Sequence, residues 1–334
     1  MTTALVTGAT GCVGANIVEA LLAHGYEVRA MRRATSSLDA LVGLTPEFVV
    51  GDVLDYDSLV SAMVGCELVI HTAAISQYWR NAPDMLYTVN VRGTRYTLQA
   101  AMATGVDRVV FTSSVAALGV PRHTGHVLDE SDHFNWHPKR FHYGHSKVLA
   151  EAEVRRAREK GLDVVCVNPA TVIGRRDVNF VGGAILRASR RGWTWVAPPG
   201  GMGVVSGEAV GVGHVLAAER GVDGERYVLN GENIAHRDLL ALVGAVVGGP
   251  KPVFTIPRPI ARLGVLLGRL GLTSGGSNRR LPMMFAQALM QLDLSTRYMY
   301  FNGRRAEREL GVPRIGARAA VREAWDWYRE QGLL

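Results

Sequence analysis

Short apolar segments typical of β-strands alternate with segments of helical periodicity through the first half of this chain. The predicted strands are residues 4–7, 27–31, 47–51, 68–72, 108–114 and 163–168, and helical spacing connects Val13, Ile17 and Leu21, and later Leu86, Val89, Gly93, Tyr96 and Ala100. Strands that alternate with helices predict a parallel sheet covered on both faces, the doubly wound α/β class. Ligands of such sheets bind beyond the carboxyl ends of the strands.

The alternation stops near residue 173, where sequence rich in Gly and Pro begins. We therefore predict a first domain over residues 1–173, to which residues 205–231 return through a helix and a strand. Residues 174–204 and 232–334 are assigned to a smaller C-terminal substrate-binding lobe. Within that lobe, a helix is predicted between a capping Asn302 and a stop at Gly311 and Pro313.

Composition excludes several classes of protein. With 48% hydrophobic and 20% charged residues, the chain is typical of a globular domain. Its most apolar run, residues 261–272, is short and interrupted by Arg262 and Arg269, so no membrane partner is expected, and we place the protein in the cytoplasm. The net charge of +7 is spread over small helical groups without interleaved aromatic residues, which argues against a nucleic-acid partner.

Three glycines follow the first predicted strand in TGATGCVGANI, at Gly8, Gly11 and Gly14. Glycines permit a tight turn and the close approach of a pyrophosphate, whose charge then meets free N–H groups at a helix N-terminus. A glycine triplet alone is weak evidence. Placed between a strand and a helix at the start of an alternating chain, it predicts dinucleotide binding.

A tyrosine and a lysine lie four residues apart in YGHSK, at Tyr143 and Lys147. On a helix they share one face, which Ala150 and Val154 continue. An isolated pair of this kind usually lies on an amphipathic surface helix. Beside a nicotinamide it has a chemical use, because a phenol with a normal pKa of ~10 needs a neighbouring positive charge to exchange protons near neutrality.

Taken together, the glycine spacing and YGHSK resemble the extended short-chain dehydrogenase/reductase family, within which the chain looks most similar to dihydroflavonol reductases and hydroxysteroid dehydrogenases. The motifs GDV (51–53), HTAA (71–74), NVRGT (90–94) and NPATVIG (168–174) follow in the family's order. The resemblance implies a Rossmann fold, a small-molecule carbonyl or alcohol substrate and a homodimer formed through two helices.

The same resemblance implies roles for individual residues. Ser114, Tyr143 and Lys147 would form the catalytic triad, with Ser113 nearer the cofactor. The cofactor-binding residues would be Gly8, Thr10, Gly11, Cys12, Val13, Gly14, Arg32, Arg33, Asp52, Val53, Thr72, Ala73, Ala74, Asn90, Thr112, Ser113, Tyr143, Lys147, Asn168, Pro169 and Thr171.

The end of the second strand indicates which nicotinamide is used. A carboxylate at this position selects NAD through the ribose 2′-hydroxyl, whereas arginine accommodates the 2′-phosphate of NADP. This chain has Arg32 and Arg33 there, followed by Ser36 and Ser37, and no acidic residue. We expect NADP(H) to be preferred, with NAD(H) left open as an alternative.

Candidate substrate residues come from the aromatic and polar segments between the motifs. We assign Gln77, Tyr78, Trp79, Trp136, His142, Arg175 and Met202 to this role. Together with Trp193, Trp195 and the Met-rich segment 281–290, they favour a hydrophobic carbonyl compound.

Two other functions remain open. A sugar-nucleotide epimerase uses the same triad on a retained NAD, and Arg175, Arg176, Arg187 and Arg191 could hold a nucleotide diphosphate. A cofactor-binding regulator without turnover is the second, although such relatives typically lose part of the triad.

The histidines and cysteines do not predict a metal site. Six histidines, at 123, 126, 133, 137, 142 and 145, surround YGHSK, but HPKR interrupts the helix that would align His133 with His137. Cys12, Cys66 and Cys166 are far apart in apolar or glycine-rich sequence, so buried thiols are expected.

Overall fold

The structure is a computed structural model that describes residues 2–274 and 280–334, with only the backbone described for residues 269–274 and 280–287. Its main sheet contains β1 (Thr3–Thr7), β2 (Glu27–Arg32), β3 (Glu47–Val50), β4 (Leu68–His71), β5 (Arg108–Thr112), β6 (Asp163–Pro169) and β10 (Arg226–Leu229). These seven strands are parallel and lie in the order β10-β6-β5-β4-β1-β2-β3. The predicted doubly wound α/β class is confirmed.

Helices cover both faces of this sheet. Helices α1 (Cys12–Ala23) and α7 (Gly207–Arg220) pack together on one face, and α2 (Tyr56–Met63), α4 (Gly93–Thr104) and α5 (His142–Arg158) pack on the other. The central strands are buried on both sides because their Val, Ile and Leu residues face a helix layer in either direction.

The predicted helix around Gly93 is present but is wound unevenly. It begins as α3 (Pro83–Tyr87), passes through a π turn at Thr88–Arg92 and continues as α4. Asn90 lies in the π turn, where its side-chain amide exchanges hydrogen bonds with the backbone of Ile75 at 2.8 and 3.2 Å. π turns are frequent at functional sites, and this one fixes the loop that follows β4.

A second, mixed sheet lies in the C-terminal part of the chain. It contains β7 (Thr171–Ile173), β9 (Gly201–Ser206), β11 (Glu232–Ala235) and β13 (Tyr298–Met299), and a two-stranded ribbon joins β8 (Val196–Ala197) to β12 (Phe254–Thr255). The associated helices are α6 (Ala184–Arg190), α8 (His236–Val247), α9 (Arg258–Ser274), α10 (Arg280–Ser295) and α11 (Ala317–Glu330). Residues 171–173, assigned from sequence to the first domain, thus pair within the second sheet.

The predicted helix after Asn302 begins and ends where expected but has a different winding. Asn302 Oδ1 accepts from Arg304 N at 3.1 Å, and Gly311 terminates the helix with a φ of 84°. Between them, Ala306–Leu310 form a π turn instead of α turns. The structural interpretation of this segment therefore holds, with a wider helix than predicted.

Candidate active site

The turn between β1 and α1 has the shape of a cradle for an anionic ligand. Gly8 has a φ of 70°, and a Cβ at Gly14 would lie 2.2 Å from Gly8 O, so the fold itself requires both glycines. Gly11 differs, because its φ is −88° and a Cβ there would meet nothing closer than 3.4 Å. Gly11 is the N-cap of α1, a position that favours glycine over alanine, and its missing side chain also leaves room for the close approach of a ligand.

The N-terminus of α1 supports the same interpretation. No side chain caps it, so its free N–H groups and the positive end of the helix dipole remain available to an anion. Thr10, Cys12 and Val13 belong to this turn. The Cys12 side chain points away toward the carbonyl of Arg175 at 3.7 Å, so only its backbone faces the cradle.

Loops at the carboxyl ends of the neighbouring strands meet this turn. Thr72, Ala73 and Ala74 follow β4, and Ala73 packs so closely on Gly8 that its Cα lies 2.7 Å from where a Cβ would be. Asp52 and Val53 follow β3, where Asp52 Oδ1 accepts from Leu54 N at 2.9 Å and Val53 packs on Gly93. A dinucleotide fits this edge of the sheet in both the shape and the chemistry of the residues present.

Arg32 is the last residue of β2, and Arg33 follows it in the turn. One Nη of Arg32 donates to the carbonyls of Arg33 and Ala34, each at 3.3 Å. Its Nε is buried without a hydrogen-bond partner, whereas Arg33 is exposed. An unsatisfied guanidinium N–H is costly, so an acceptor at this position would be stabilised.

Tyr143 and Lys147 lie on α5 above the ends of β5 and β6. Tyr143 is partly buried and hydrogen-bonds to the Ser114 hydroxyl, which also accepts from Ala116 N at 3.2 Å. Lys147 is buried, and its Nζ donates to the Thr112 carbonyl at 2.8 Å. The structure therefore brings Ser114, Tyr143 and Lys147 to one place at the strand ends. Ala150 and Val154 are buried beneath them, against the sheet.

In this arrangement burial dominates the pKa of the Tyr143 phenol, and the charge of Lys147 does not offset it. Burial raises the pKa of the Tyr143 phenol, and the hydrogen bond to Ser114 opposes that rise only in part. Burial also lowers the pKa of Lys147 to about 8, although the negative charge of Glu151 opposes that lowering. The physical reason is that the Lys147 ammonium is directed to the end of β5.

A buried hydrogen-bond network supports the lysine from below. Thr112 Oγ1 is 2.9 Å from His214 Nε2, and His214 Nδ1 donates to the Val210 carbonyl at 2.7 Å. His71 similarly bridges Thr7 and Thr94 at 2.8 and 3.0 Å. Burial, with the charge of Lys147 acting in the same direction, lowers the pKa of His71 to about 3, and burial lowers the pKa of His214 to about 4. Both imidazoles are thus neutral at pH 7.

Three residues assigned to the cofactor by resemblance make side-chain hydrogen bonds within the protein, although Asn168 Oδ1 is buried without a partner. Ser113 donates to Glu151 Oε1 at 2.5 Å, Asn168 Nδ2 donates to Glu151 and to Ser114 O at 3.0 Å each, and Asn90 also donates to Ser146 Oγ at 3.0 Å. All are buried. Their side chains position strand ends and α5. Pro169 and Thr171 follow on the same loop, next to Ala170.

Aromatic rings cover the phenol of Tyr143. Tyr78 stacks on it with ring centroids 5.3 Å apart at 23°, and Phe141 contacts both tyrosines. The predicted substrate residues Trp79 and Trp136 contact this cluster, at 5.1 Å from Tyr78 and 5.6 Å from Phe141. Gln77 belongs to the same loop, and Gln291 of α10 donates to the Tyr78 hydroxyl at 2.7 Å.

Two predicted substrate residues lie elsewhere. His142 turns to Tyr87, whose hydroxyl it shares with His145 at 3.0 and 3.1 Å, because α3 packs on that side of α5. Arg175 pairs with Glu19 of α1 at 3.1 Å and with Glu323 of α11 at 3.4 Å. Both assignments stay predictions. Met202 packs on the hydrophobic core of the second sheet, and the side chains of the Met-rich segment at 281–287 lie outside the described residues.

The histidine-rich segment does not assemble a metal site. His123 stacks on His126, His126 pairs with Asp132 at 3.3 Å, and His137 caps the turn at Pro138–Arg140. Among the residues that the structure describes, no three His, Cys, Asp or Glu side chains form a metal-binding group. All three cysteines are free thiols, with Cys66 and Cys166 buried.

Comparison with known proteins places this geometry in a family. The model of the NAD-dependent epimerase/dehydratase family matches residues 4–193, more than half of the chain. The chain belongs to this family. Among curated proteins, this family member is 37% identical to a putative dihydroflavonol 4-reductase of Synechocystis sp., over 98% of the chain and 95% of the relative. It is 35% identical to sterol demethylase protein B of Methylococcus capsulatus, over 99% of the chain and 100% of the relative.

A solved structure agrees with the fold. PA4631 of Pseudomonas aeruginosa, described as a nucleoside-diphosphate-sugar epimerase, superimposes with a TM-score of 0.78 at 27% identity, covering 100% of this chain and 99% of that one. The predicted resemblance to extended short-chain dehydrogenases/reductases is confirmed, and the epimerase/dehydratase family member is an NAD(P)-dependent oxidoreductase.

Sequence reasoning missed several residues of this family member's site. Glu151, His214 and Phe141 were not singled out, and His71 appeared only as the first residue of the motif HTAA. Glu151 had a detectable signal, since it follows Tyr143 and Lys147 at the same interval of four residues. His214 had none, because its partner Thr112 is distant in sequence.

Proposed function

We propose that this protein is an NADPH-dependent carbonyl reductase or alcohol dehydrogenase that acts on a fairly apolar small molecule. The observation that carries the proposal is the Tyr143 phenol, hydrogen-bonded to Ser114 and covered by the aromatic cluster of Tyr78, Phe141 and Trp136. A mostly aromatic surround of the Tyr143 proton donor suits a hydrophobic ketone or secondary alcohol. The reductase and sterol names of the two curated relatives are in keeping with such a substrate.

The side chains of Tyr143, Ser114 and Lys147 would carry out the proton transfer of the reaction. The bound nicotinamide supplies or accepts the hydride. In reduction, Tyr143 donates its proton to the carbonyl oxygen of the substrate, and the Ser114 hydroxyl donates a hydrogen bond to the same oxygen as negative charge develops. Lys147 holds the end of β5 through Thr112 and adds a positive charge one helical turn from the phenol. Oxidation of an alcohol reverses these steps.

The preference for NADPH is supported by Arg32. Its buried Nε has no partner in the protein, and its position at the end of β2 is where the ribose of the adenosine lies in this class of fold. The exposed Arg33 adds a second positive charge. A 2′-phosphate would accept a hydrogen bond from the Arg32 Nε and would be attracted by the charge of Arg33.

A sugar-nucleotide epimerase is the alternative that the family name keeps in view. The arginines that sequence offers for a nucleotide diphosphate are otherwise engaged. Arg175 and Arg176 both pair with Glu19, and Arg187 and Arg191 lie over the rings of Phe180 and Trp193 at 4.4 and 5.4 Å. This disposition favours the reductase.

The proposal is tested by absorbance at 340 nm. Protein purified without added cofactor is titrated with NADPH and NADH and then assayed with aromatic and alicyclic ketones. We expect NADPH-dependent turnover that falls by about 10²- to 10⁴-fold in Tyr143→Phe. Tyr87→Phe is the matched control, since the Tyr87 hydroxyl bonds to His142 and His145 on the far side of α5 and its loss should leave turnover intact.

Two results would contradict the reductase. Tightly retained NAD with no net turnover of ketones would favour the epimerase, which returns its hydride to the same substrate. Binding of NADPH without turnover of any ketone or alcohol would favour a cofactor-binding regulator.

A further inference from the structure

One face of α9 presents large apolar side chains to solvent. Ile260, Leu263, Leu266 and Leu267 are between 53% and 61% exposed. On the opposite side of the same helix, Ala261 and Val265 are buried against the rest of the protein. Scattered exposed leucines are normal, but four on one stripe of one helix mark an interaction surface.

The apolar surface continues onto the ribbon that precedes α9. Trp195, Val196 and Phe254 are about half exposed, and Val253 and Trp193 are 70% and 71% exposed. Val253 N donates to Trp195 O at 2.9 Å, which ties the two strands side by side, and β12 leads into α9 after two residues. We call this combined surface, the ribbon and the exposed stripe of α9, the apolar face.

Positive charge surrounds the apolar face. The sequence has no Asp or Glu between Asp177 and Glu208, nor between Asp238 and Asp293, and these two stretches supply both parts of the face. Their cations include the exposed Arg190, Arg191, Lys251 and Arg262. Arg191 lies over the ring of Trp193 at 5.4 Å. The surroundings therefore favour an anionic partner.

We propose that the apolar face docks on the surface of an anionic lipid bilayer, with α9 lying in the interface. Leucine, isoleucine and tryptophan on one side and arginine on the flank are the features of a helix that binds in the plane of a membrane. A second copy of this chain fits less well, because a two-fold contact would bring identical positive charges together. Among the described helices, none combines the length and the hydrophobicity of a membrane span, and interfacial docking needs no such helix.

This proposal revises the expectation of no membrane partner, which considered only spanning segments. It also has a consequence for access to the site. Helix α9 packs on α10, and Gln291 of α10 bonds to Tyr78, which stacks on Tyr143. If the proposed function holds, a hydrophobic substrate dissolved in the bilayer would reach the phenol past these two helices. The docking itself does not depend on that function.

Flotation of the full chain with lipid vesicles tests the docking. The vesicles contain phosphatidylcholine alone or with phosphatidylserine, and no substrate or cofactor is present. We expect binding to the phosphatidylserine vesicles that weakens as salt screens the charges. Leu263→Glu should reduce the apparent affinity by about tenfold or more, because it withdraws a leucine from the interface and adds a repelled charge.

Two further variants keep this test decisive. Val64→Glu is the matched control, since Val64 is 61% exposed after α2 in the first domain and should not contact lipid. Trp193→Ser changes a different element and should weaken binding as Leu263→Glu does, even if one variant folds poorly. Absence of binding to either vesicle, or equal binding by all variants, would overturn the proposal. If the native chain does not bind vesicles, and light scattering shows that Leu263→Glu forms a smaller oligomer than the native chain, the apolar face would be assigned to contact with a second copy instead.

Discussion

The Glu151 carboxylate accepts a 2.5 Å hydrogen bond from the Ser113 hydroxyl, one helical turn beyond Lys147 on α5. Glu151 is buried, and Arg226 lies 3.6 Å away on β10. Its negative charge raises the pKa of Lys147, against burial, which lowers it to about 8 overall. Glu151 is therefore a positioning residue that acts on the site through Ser113 and Lys147.

Replacing Glu151 should change how activity depends on pH. Reductase activity is expected to decline as pH rises through about 8, where Lys147 loses its proton. Glu151→Gln removes the charge that favours protonated Lys147, so the alkaline decline should move to lower pH. The measurement is the pH profile of kcat/KM for NADPH.

Glu153→Gln is the control for this profile. Glu153 is on the same helix and equally buried, but it pairs with Arg95 and Arg156 on the side of α4. Its variant should keep the alkaline decline of the native protein. An unchanged decline in Glu151→Gln would show that this carboxylate does not set the charge of Lys147.

The glycine turn offers a matched pair of substitutions. A Cβ at Gly11 meets nothing closer than 3.4 Å, whereas a Cβ at Gly14 would overlap Gly8 O at 2.2 Å. Gly11→Ala should weaken cofactor binding and lower the melting temperature only slightly, because alanine is a poorer N-cap of α1 than glycine. Gly14→Ala should cost stability, about 1–3 kcal/mol, as overpacking does. Thermal unfolding and NADPH titration of both variants measure this, and normal NADPH affinity in Gly11→Ala would show that no ligand approaches this glycine.

Arg32 and Arg33 should contribute unequally to cofactor choice. Arg32→Ala removes the guanidinium with the unsatisfied Nε. It should weaken the binding of NADPH by roughly 10- to 100-fold, the range for a hydrogen bond to a charged group, and should change the binding of NADH little. Arg33→Ala removes an exposed charge and should have a smaller effect. Fluorescence titration with both cofactors measures these affinities. An equal loss of affinity for NADPH and NADH in Arg32→Ala would contradict recognition of the 2′-phosphate.

Acid should destabilise the protein through its buried histidines. Burial lowers the pKa of His71 to about 3 and that of His214 to about 4. Between these values and about 6.5, the unfolded chain binds more protons than the folded one, so the free energy of unfolding falls as pH drops. Each histidine contributes a slope of about 1.4 kcal/mol per pH unit in that window.

Urea unfolding of the native protein and His214→Gln near pH 7 and near pH 5 measures this contribution. The variant should be less stable near pH 7, since Thr112 loses its bond to the imidazole, but its loss of stability toward pH 5 should be smaller. If both proteins lose the same free energy of unfolding between pH 7 and pH 5, His214 is protonated without cost in the folded state.

Much of the fold follows from patterns that extend over a few neighbouring residues. The six predicted strands match β1–β6 to within two residues at each end, because β-branched runs between turns leave little choice. The glycine turn and the spacing of Tyr143 and Lys147 are equally local. Winding was less predictable, since the π turns at Thr88–Arg92 and Ala306–Leu310 depend on what the helix packs against.

The sequence by itself determined the alternating sheet and helices, the position of the cradle and the order of the site motifs, because each depends on residues close together in the chain. Only the tertiary structure decided which partners several polar side chains meet. His142 faces Tyr87, Arg175 faces Glu19, and Ser113 faces Glu151, each across a distance in sequence that periodicity does not encode. Burial selects these partners, since a polar group removed from water must find one wherever the packed chain provides it.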